Sequence, residues 1–356
     1  MNEPESAARN YDRIRAARVA GRKITALGGG TGLSTLLLGL KEYTDNITAI
    51  VTVTDDGGGS GIIRQEFGIL PPGDIRNCIL ALANTSTTMS ELLNYRFSEG
   101  SLQGQSFGNL FLLALTGVCG SFESAVARMN QFLAVTGQVL PVTNKDITLK
   151  AVFENGQVVT GETAITAAKK GTPLRIERVE LEPSHVVALN SVIDAIDDAD
   201  LILLGPGSLY TSVIPNLLVG RVAEALRRSK ALRIYVMNIM TQDGETEDYT
   251  AAQHVEAIHR HAGGKIVDLC VYNTQHIPQK LRQRYAQENS VQLFPDAAQF
   301  RALQVGLFGG SMLSQSRDYA RHDPLRLAYH ILCAADRYAP RSGALREYDR
   351  YLLNQE

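Results

Sequence analysis

The chain has no excess of either charge: 35 basic side chains stand against 37 acidic ones, scattered along 356 residues. No net field exists to recruit a polynucleotide or an anionic membrane, so neither is expected as a partner. Long apolar runs are also missing. The longest, Leu110 to Val118, falls well short of the about 20 residues that span a bilayer, so no membrane insertion is expected. The first 22 residues are polar and Arg-rich without an apolar h-region, which reads as a frayed helical arm and not a signal peptide. Cysteine is sparse. Cys78, Cys119, Cys270 and Cys333 lie far apart in apolar surroundings, which excludes a paired-cysteine zinc site and suits core packing in a reducing cytosol. His254, His259 and His261 lack metal-ligand spacing on one helix face and are expected on a solvated surface. There is no G-x-S-x-G turn, no H-E-x-x-H and no cysteine with an evident base, so no catalytic residue and no metal ligand is assigned.

What is present is 44% hydrophobic residues, ample for a sizeable core, and a rhythm of strand-length apolar runs alternating with helix-length periodic segments. That rhythm predicts an α/β protein: a Rossmann-like, mostly parallel sheet with helices on both faces. Between residues 141 and 185 the texture becomes short and alternating. Thr148 to Glu154 and Gln157 to Val159 flank Asn155-Gly156, a strong hairpin signal, and Arg175 to Leu181 alternates too. A small antiparallel β excursion is expected there. The predicted organisation is a polar arm over 1–22, one α/β domain over 23–323, and a charged, solvent-exposed helical tail over 324–356. Helices are predicted over Ser34 to Tyr43, Asp74 to Ala83 and Gly108 to Leu115.

Several strand-like runs end on small, polar, glycine-rich turns. Lys23 to Leu27 enters Gly28-Gly29-Gly30-Thr31-Gly32, and Ile47 to Thr54 enters Asp55-Asp56-Gly57-Gly58. Leu201 to Leu204 enters Gly205-Pro206-Gly207-Ser208. Glycines leave backbone N–H groups uncovered, and a following helix aims the positive end of its dipole forward, which together hold a phosphate. The first turn matches neither G-x-G-x-x-G nor a P-loop, so a plain strand-to-helix turn stays open as its role. A carboxylate about 4 Å from a phosphate oxygen costs about 4 kcal/mol at an effective dielectric near 20. Asp55 and Asp56 are therefore expected to face sugar hydroxyls or to clamp a divalent cation. Asp74 reads as a helix N-cap or a crevice ligand, with Arg76 and Asn77 beside it. Ser208 carries the same ambiguity between cap and phosphate donor, and Asn109 that between cap and base contact.

These turns, with Pro71-Pro72-Gly73-Asp74-Ile75-Arg76-Asn77, Ser106-Phe107-Gly108-Asn109-Leu110 and Asn238-Ile239-Met240-Thr241-Gln242, occur in an order that resembles the YvcK group. That group, also called gluconeogenesis factors, lies within the superfamily of the phospholactate transferase CofD. The resemblance runs from about Lys23 to Asp323. It implies a cytoplasmic bacterial protein that binds UDP-sugars such as UDP-N-acetylglucosamine, with a role in cell-wall synthesis and cell shape during growth on gluconeogenic carbon. It also implies that Tyr285, in Arg282-Gln283-Arg284-Tyr285, and Arg321, in Arg321-His322-Asp323, meet the sugar nucleotide. An aromatic ring can stack on a base or sugar, and a guanidinium can grip a pyrophosphate in two places.

The chain departs from the group at Gly59 and at Ile62-Ile63, where a serine and an Arg-Leu pair are usual. Pro324 stands where some relatives carry a modifiable threonine, so that regulatory route is closed here. The candidate contacts are Gly29, Gly30, Thr31, Gly32, Asp55, Asp56, Gly73, Asp74, Asn109, Gly205, Gly207, Ser208, Tyr285 and Arg321. No cofactor is required, magnesium is admitted by the acidic pair, and a homo-oligomer with partners in cell-wall synthesis is expected. A CofD-like transferase and a nicotinamide dehydrogenase compete with the UDP-sugar sensor.

Overall fold

The structure, a computed structural model, describes residues 16–315 and 318–353. Seven parallel strands form one sheet in the order β10-β9-β8-β7-β1-β2-β3. They are β1 (Ile24–Gly28), β2 (Ile47–Val51), β3 (Gln138–Pro141), β7 (Leu201–Leu204), β8 (Leu232–Val236), β9 (Leu269–Asn273) and β10 (Gly306–Gly310). β1 and β7 are buried at every position, the pattern of strands covered on both faces. Alternation along β1 shows the two covers. The Thr25 hydroxyl donates to the Ala195 carbonyl of the Asn190–Asp197 helix at 2.8 Å. Gly28 faces the other way, onto Leu33 of the Gly30–Leu40 helix.

The chain runs outward from β1 through β2 to β3, then returns to β7 on the other side of β1 and proceeds outward again. Strand order therefore reverses between β1 and β7, and a crevice opens beyond their carboxyl ends. The expected antiparallel excursion is a three-stranded sheet, β5-β4-β6, of β4 (Thr148–Phe153), β5 (Val158–Thr160) and β6 (Ile176–Glu182). Gly156 takes φ +83°, and the Asn155 side chain accepts the Gln157 N–H at 2.9 Å, so Asn-Gly makes the turn as expected.

Four sequence expectations are corrected. The first helix begins at Gly30, not Ser34, so the glycine turn is itself the helix's opening turn. The low helix propensity of glycine argued against this, but a Cβ at Gly32 would collide with the Pro206 carbonyl. The segment after Pro324 is helical but not an exposed tail. Leu327, Ala328, Ile331, Ala334 and Ala335 of the Pro324–Tyr338 helix are fully buried against the Gly30–Leu40 helix and its surroundings.

Arg22, buried, donates to the Ala339 carbonyl at 3.0 Å and pairs with Asp349 at 3.2 Å, tying the chain's end to the start of β1. The expected N-terminal arm lies largely outside the described residues, and its described end is docked, with Ala17 buried. The histidines are not on a solvated surface. His254 is fully buried, and burial pushes it down to about 4. His261 Nε2 accepts the Val179 N–H at 3.0 Å, and His259 Nε2 accepts that of Val267 at 3.3 Å.

Candidate functional site

A cleft of about 660 Å³ opens at the switch point between β1 and β7, within the usual range of about 300–1,000 Å³ for small-molecule sites. Its floor is the opening turn of the Gly30–Leu40 helix. Gly29 stands extended at the N-cap, Gly30 takes φ +62°, and no side chain caps the helix. The Gly30 N–H is taken by the Asp74 carboxylate, leaving the amides of Thr31 and Gly32 as the opening-turn donors of a helix whose dipole points into the cleft. The loop after β7 lies directly across. The Asn238 side chain clamps Gly207 twice, accepting its N–H at 3.1 Å and donating to its carbonyl at 2.8 Å.

Four carboxyl groups surround this floor. Asp55 accepts the Gly57 N–H at 2.9 Å, and burial holds it above the usual carboxylate range. Asp74 is pushed up to about 6, first by burial and then by the neighbouring charge of Asp55. Glu162, at the start of the Glu162–Lys169 helix, is pushed up to about 9 by burial and by Asp55, Glu245 and Asp74; hydrogen bonding with Thr211 offsets this only in part. Glu245, fully buried, is pushed up to about 7 by burial. Its two oxygens accept the Tyr210 N–H at 3.1 Å and the Thr211 hydroxyl at 2.8 Å. Glu245 therefore occupies the N-terminus of the π-helical turn Leu209–Val213, a place where an anion is favourable. At pH 7 Glu162 keeps its proton, so it presents a donor where a carboxylate would repel an anion.

The opposite wall is aromatic and cationic. Tyr285 Oη accepts the Ala320 N–H at 3.1 Å, which fixes its ring against the segment just before Arg321. The exposed Arg321 guanidinium lies 4.9 Å over the Tyr319 ring, and Arg284 lies 5.1 Å from the same ring. Among the described residues, Lys170, 3.6 Å from Asp243, and Arg321 line the cleft as cations; buried His322 is pushed down to about 4 and stays neutral.

Of the sequence candidates, Gly29, Gly30, Thr31, Gly32, Asp55, Asp74, Gly207, Ser208, Tyr285 and Arg321 line this cleft. Asp56 does not. Its carboxylate turns away to accept the Thr163 N–H at 2.9 Å and the Thr163 hydroxyl at 2.7 Å, serving the uncapped start of the helix that carries Glu162. Gly73 donates its N–H to Ser60 Oγ at 3.1 Å and lies behind the floor. Asn109 is buried outside the cleft and is not the cap, since Ser106 Oγ accepts its N–H at 3.2 Å. Gly205 shapes the loop at φ +73° without facing the cleft. Asp74 is not an N-cap either, because it falls inside the Gly73–Leu82 helix, where Pro72 holds the cap position. Ser208 holds the cap position but uses its hydroxyl on Gln242 at 2.8 Å.

Glu162, Lys170, Asn238 and Glu245 were missed. Asn238 lies just past the carboxyl end of β8, at the edge where the cleft opens, a signal the strand pattern contained. Nothing in the sequence placed the Glu162–Lys169 helix, inserted between strands of the small sheet, beside the Gly29–Gly32 turn far earlier in the chain. Among the described residues, no group of three His, Cys, Asp or Glu side chains is arranged to hold a metal ion. A cation would have to rest on Asp55 and Asp74 with oxygens from its ligand.

A parallel sheet with a glycine-lined switch-point cleft defines a Rossmann-like type of α/β protein, whose ligand crevice lies at the carboxyl ends of the strands. Residues 24–313 match the family model of the 2-phospho-L-lactate transferase CofD. A protein of Thermoanaerobacterium thermosulfurigenes is 51% identical over 312 residues, 88% of this chain and 96% of its own. The gluconeogenesis factor of Bacillus subtilis is 43% identical over 307 residues, 86% of this chain and 96% of its own. A crystal structure of a Bacillus halodurans protein superimposes with a TM-score of 0.84 at 42% identity, covering 88% of this chain and 99% of the other. The chain belongs to the CofD family, in its gluconeogenesis factor group, also known as YvcK.

Proposed function

We propose that the cleft binds a nucleotide sugar of the UDP-N-acetylglucosamine class and that the protein is a regulatory binder rather than an enzyme. On this reading it supports cell-wall synthesis and cell shape during gluconeogenic growth, and it acts in the cytoplasm, where its free cysteines stay reduced. One observation carries the reading: the cleft has two chemically different ends. Open amides of Thr31 and Gly32 suit a diphosphate, the acidic groups beside them suit sugar hydroxyls, and Tyr285 with Arg321 suits a base or the far phosphate. Among the described residues lining the cleft, no serine, threonine or cysteine is paired with a histidine or lysine base.

Calorimetry with UDP-N-acetylglucosamine, GDP and NAD, each with and without magnesium, tests it. Micromolar affinity, about −8 kcal/mol, for the UDP-sugar without metal is the expected result. Absence of binding at millimolar ligand overturns it. A second reading, a magnesium-dependent transferase, is favoured by the proximity of Asp55 to Asp74, whose affinity for protons, and hence for a cation, the charge of Asp55 raises. Binding that appears only with magnesium selects that reading, and tight binding of NAD alone selects a dehydrogenase.

A further inference from the structure

The second glycine turn, Gly57-Gly58-Gly59 beyond the carboxyl end of β2, is built like the first but forms no part of the cleft's floor. It opens the Gly58–Phe67 helix with Gly57 at the cap position, no side-chain cap and no acidic residue in the first turn. The N–H groups of Gly58 and Gly59 therefore stand as donors at the positive end of a ten-residue helix. Gly58 is exposed, with open space where a side chain would stand. A helix start alone names no ligand. The second observation is Gln105, 7% exposed, whose Oε1 has no hydrogen-bond partner among the described residues. That oxygen lies 2.8 Å from the place a Cβ on Gly59 would take, so a buried, unused acceptor faces the opening turn. The Gly104 carbonyl, 3.4 Å from the same point, already accepts from Arg96. Gly59 is not among the glycines with positive φ, so its backbone does not require glycine; what glycine provides there is room.

Charge decides what fits that room. Asp55 accepts the Gly57 N–H and Asp56 follows it in the chain, so a phosphate at this turn would meet carboxylates at close range. A cation would meet the positive end of the helix. What satisfies both sides is an uncharged group that accepts from the glycine N–H groups and donates to Gln105, which is a hydroxyl or a secondary amide. A sugar carries such groups. Asp55 joins the two turns, because it lines the cleft and also accepts the Gly57 N–H. β1 and β2 pair in parallel, so both turns open at one edge of the sheet. Resting on the reading of the cleft as a nucleotide-sugar site, we propose that Gly58, Gly59 and Gln105 form the subsite for the sugar. Its hydroxyl or acetamido group bridges the helix start and the glutamine while the diphosphate lies on Thr31 and Gly32.

Two variants of the full chain test this by titration calorimetry against UDP-N-acetylglucosamine and against UDP, which has the diphosphate and no sugar. Gly59→Ser fills the gap and gives Gln105 a hydroxyl. It should weaken UDP-N-acetylglucosamine about tenfold or more, with a thermal midpoint equal to or above that of the original chain, since serine forms helix better than glycine. Gln105→Leu keeps the volume and removes the acceptor, and should weaken the same ligand about two- to tenfold, the worth of one neutral hydrogen bond. Affinity for UDP should stay within about twofold in both variants, a contrast that misfolding cannot imitate. Equal weakening of both ligands, or no change in either, which leaves the gap to water, overturns the proposal while the nucleotide-sugar reading stands. Failure of the original chain to bind UDP-N-acetylglucosamine at all overturns that reading and the proposal together.

Discussion

Arg321→Ala separates a binding role from a structural one. In the structure the exposed guanidinium lies 4.9 Å over the Tyr319 ring, a cation–π contact worth about 0.5–1 kcal/mol at an exposed site. Its removal should therefore cost the fold less than about 1 kcal/mol. If the guanidinium grips a pyrophosphate or base oxygen, the lost charge-assisted bond is worth about 1.5–3 kcal/mol, a weakening of roughly 12- to 150-fold. Titration calorimetry with UDP-N-acetylglucosamine reads the second quantity, and scanning calorimetry of the unliganded protein reads the first. Arg321→Lys should recover part of the affinity, because charge returns without the planar fork. Equal losses of affinity and stability would refute the reasoning by making Arg321 a structural residue, and unchanged affinity would remove it from the site.

Gly32→Ala places a Cβ against the Pro206 carbonyl and should destabilise the fold by about 1–3 kcal/mol, measurable in urea; an unchanged midpoint would mean that the two loops do not need to touch. Asp56→Ala removes both acceptor contacts to Thr163 at the start of the Glu162–Lys169 helix and should cost about 0.5–2 kcal/mol, the range for a lost cap. Glu162 is raised from the usual glutamate range to about 9, so between those values the folded chain holds a proton that the unfolded chain has released. Stability must then fall as pH rises, by at most about 1.4 kcal/mol per pH unit for that one proton. Glu162→Gln should flatten the dependence of thermal midpoint on pH between 7 and 9. Parallel curves for the two proteins would show that Glu162 is not held protonated.

The local parts of the site were legible and the cross-chain parts were not. Gly29 to Gly32 and Asp55 could be read because each sits directly after a buried strand, where one segment fixes both conformation and position. Asp55 and Asp56 could not be told apart, since neighbouring residues of extended chain point opposite ways and only the fold says which way is the cleft. Asp56 finds its partner at Thr163, in the helix that follows the second strand of the small antiparallel sheet. Tyr285 and Arg321 came from resemblance to a family, as their helix and loop carry no local signal of a ligand. His254 was readable and misread: it shares a helical face with Ala251, Val255 and Ile258, all buried, so its spacing already placed it inside.

An acidic floor beneath an anion-binding turn looks self-defeating until the protons are counted. Ionised, the carboxyl groups of Asp55, Asp74, Glu162 and Glu245 would oppose any phosphate by several kcal/mol. The structure relieves this in three ways. Glu162 keeps its proton, Glu245 is spent on the amide of Tyr210 and the hydroxyl of Thr211, and Asp74 is held by the Gly30 N–H at the positive end of a helix. A phosphate arriving at the Thr31 and Gly32 amides raises the proton affinity of Asp74 and Asp55 further. Binding of a diphosphate should therefore take up protons and tighten as pH falls from 8 to 6, whereas binding through a magnesium ion on Asp55 and Asp74 should release protons and weaken over the same range. The sign of the proton exchange, read from calorimetry in two buffers of different ionisation enthalpy, distinguishes a metal-free binder from a metal-assisted transferase.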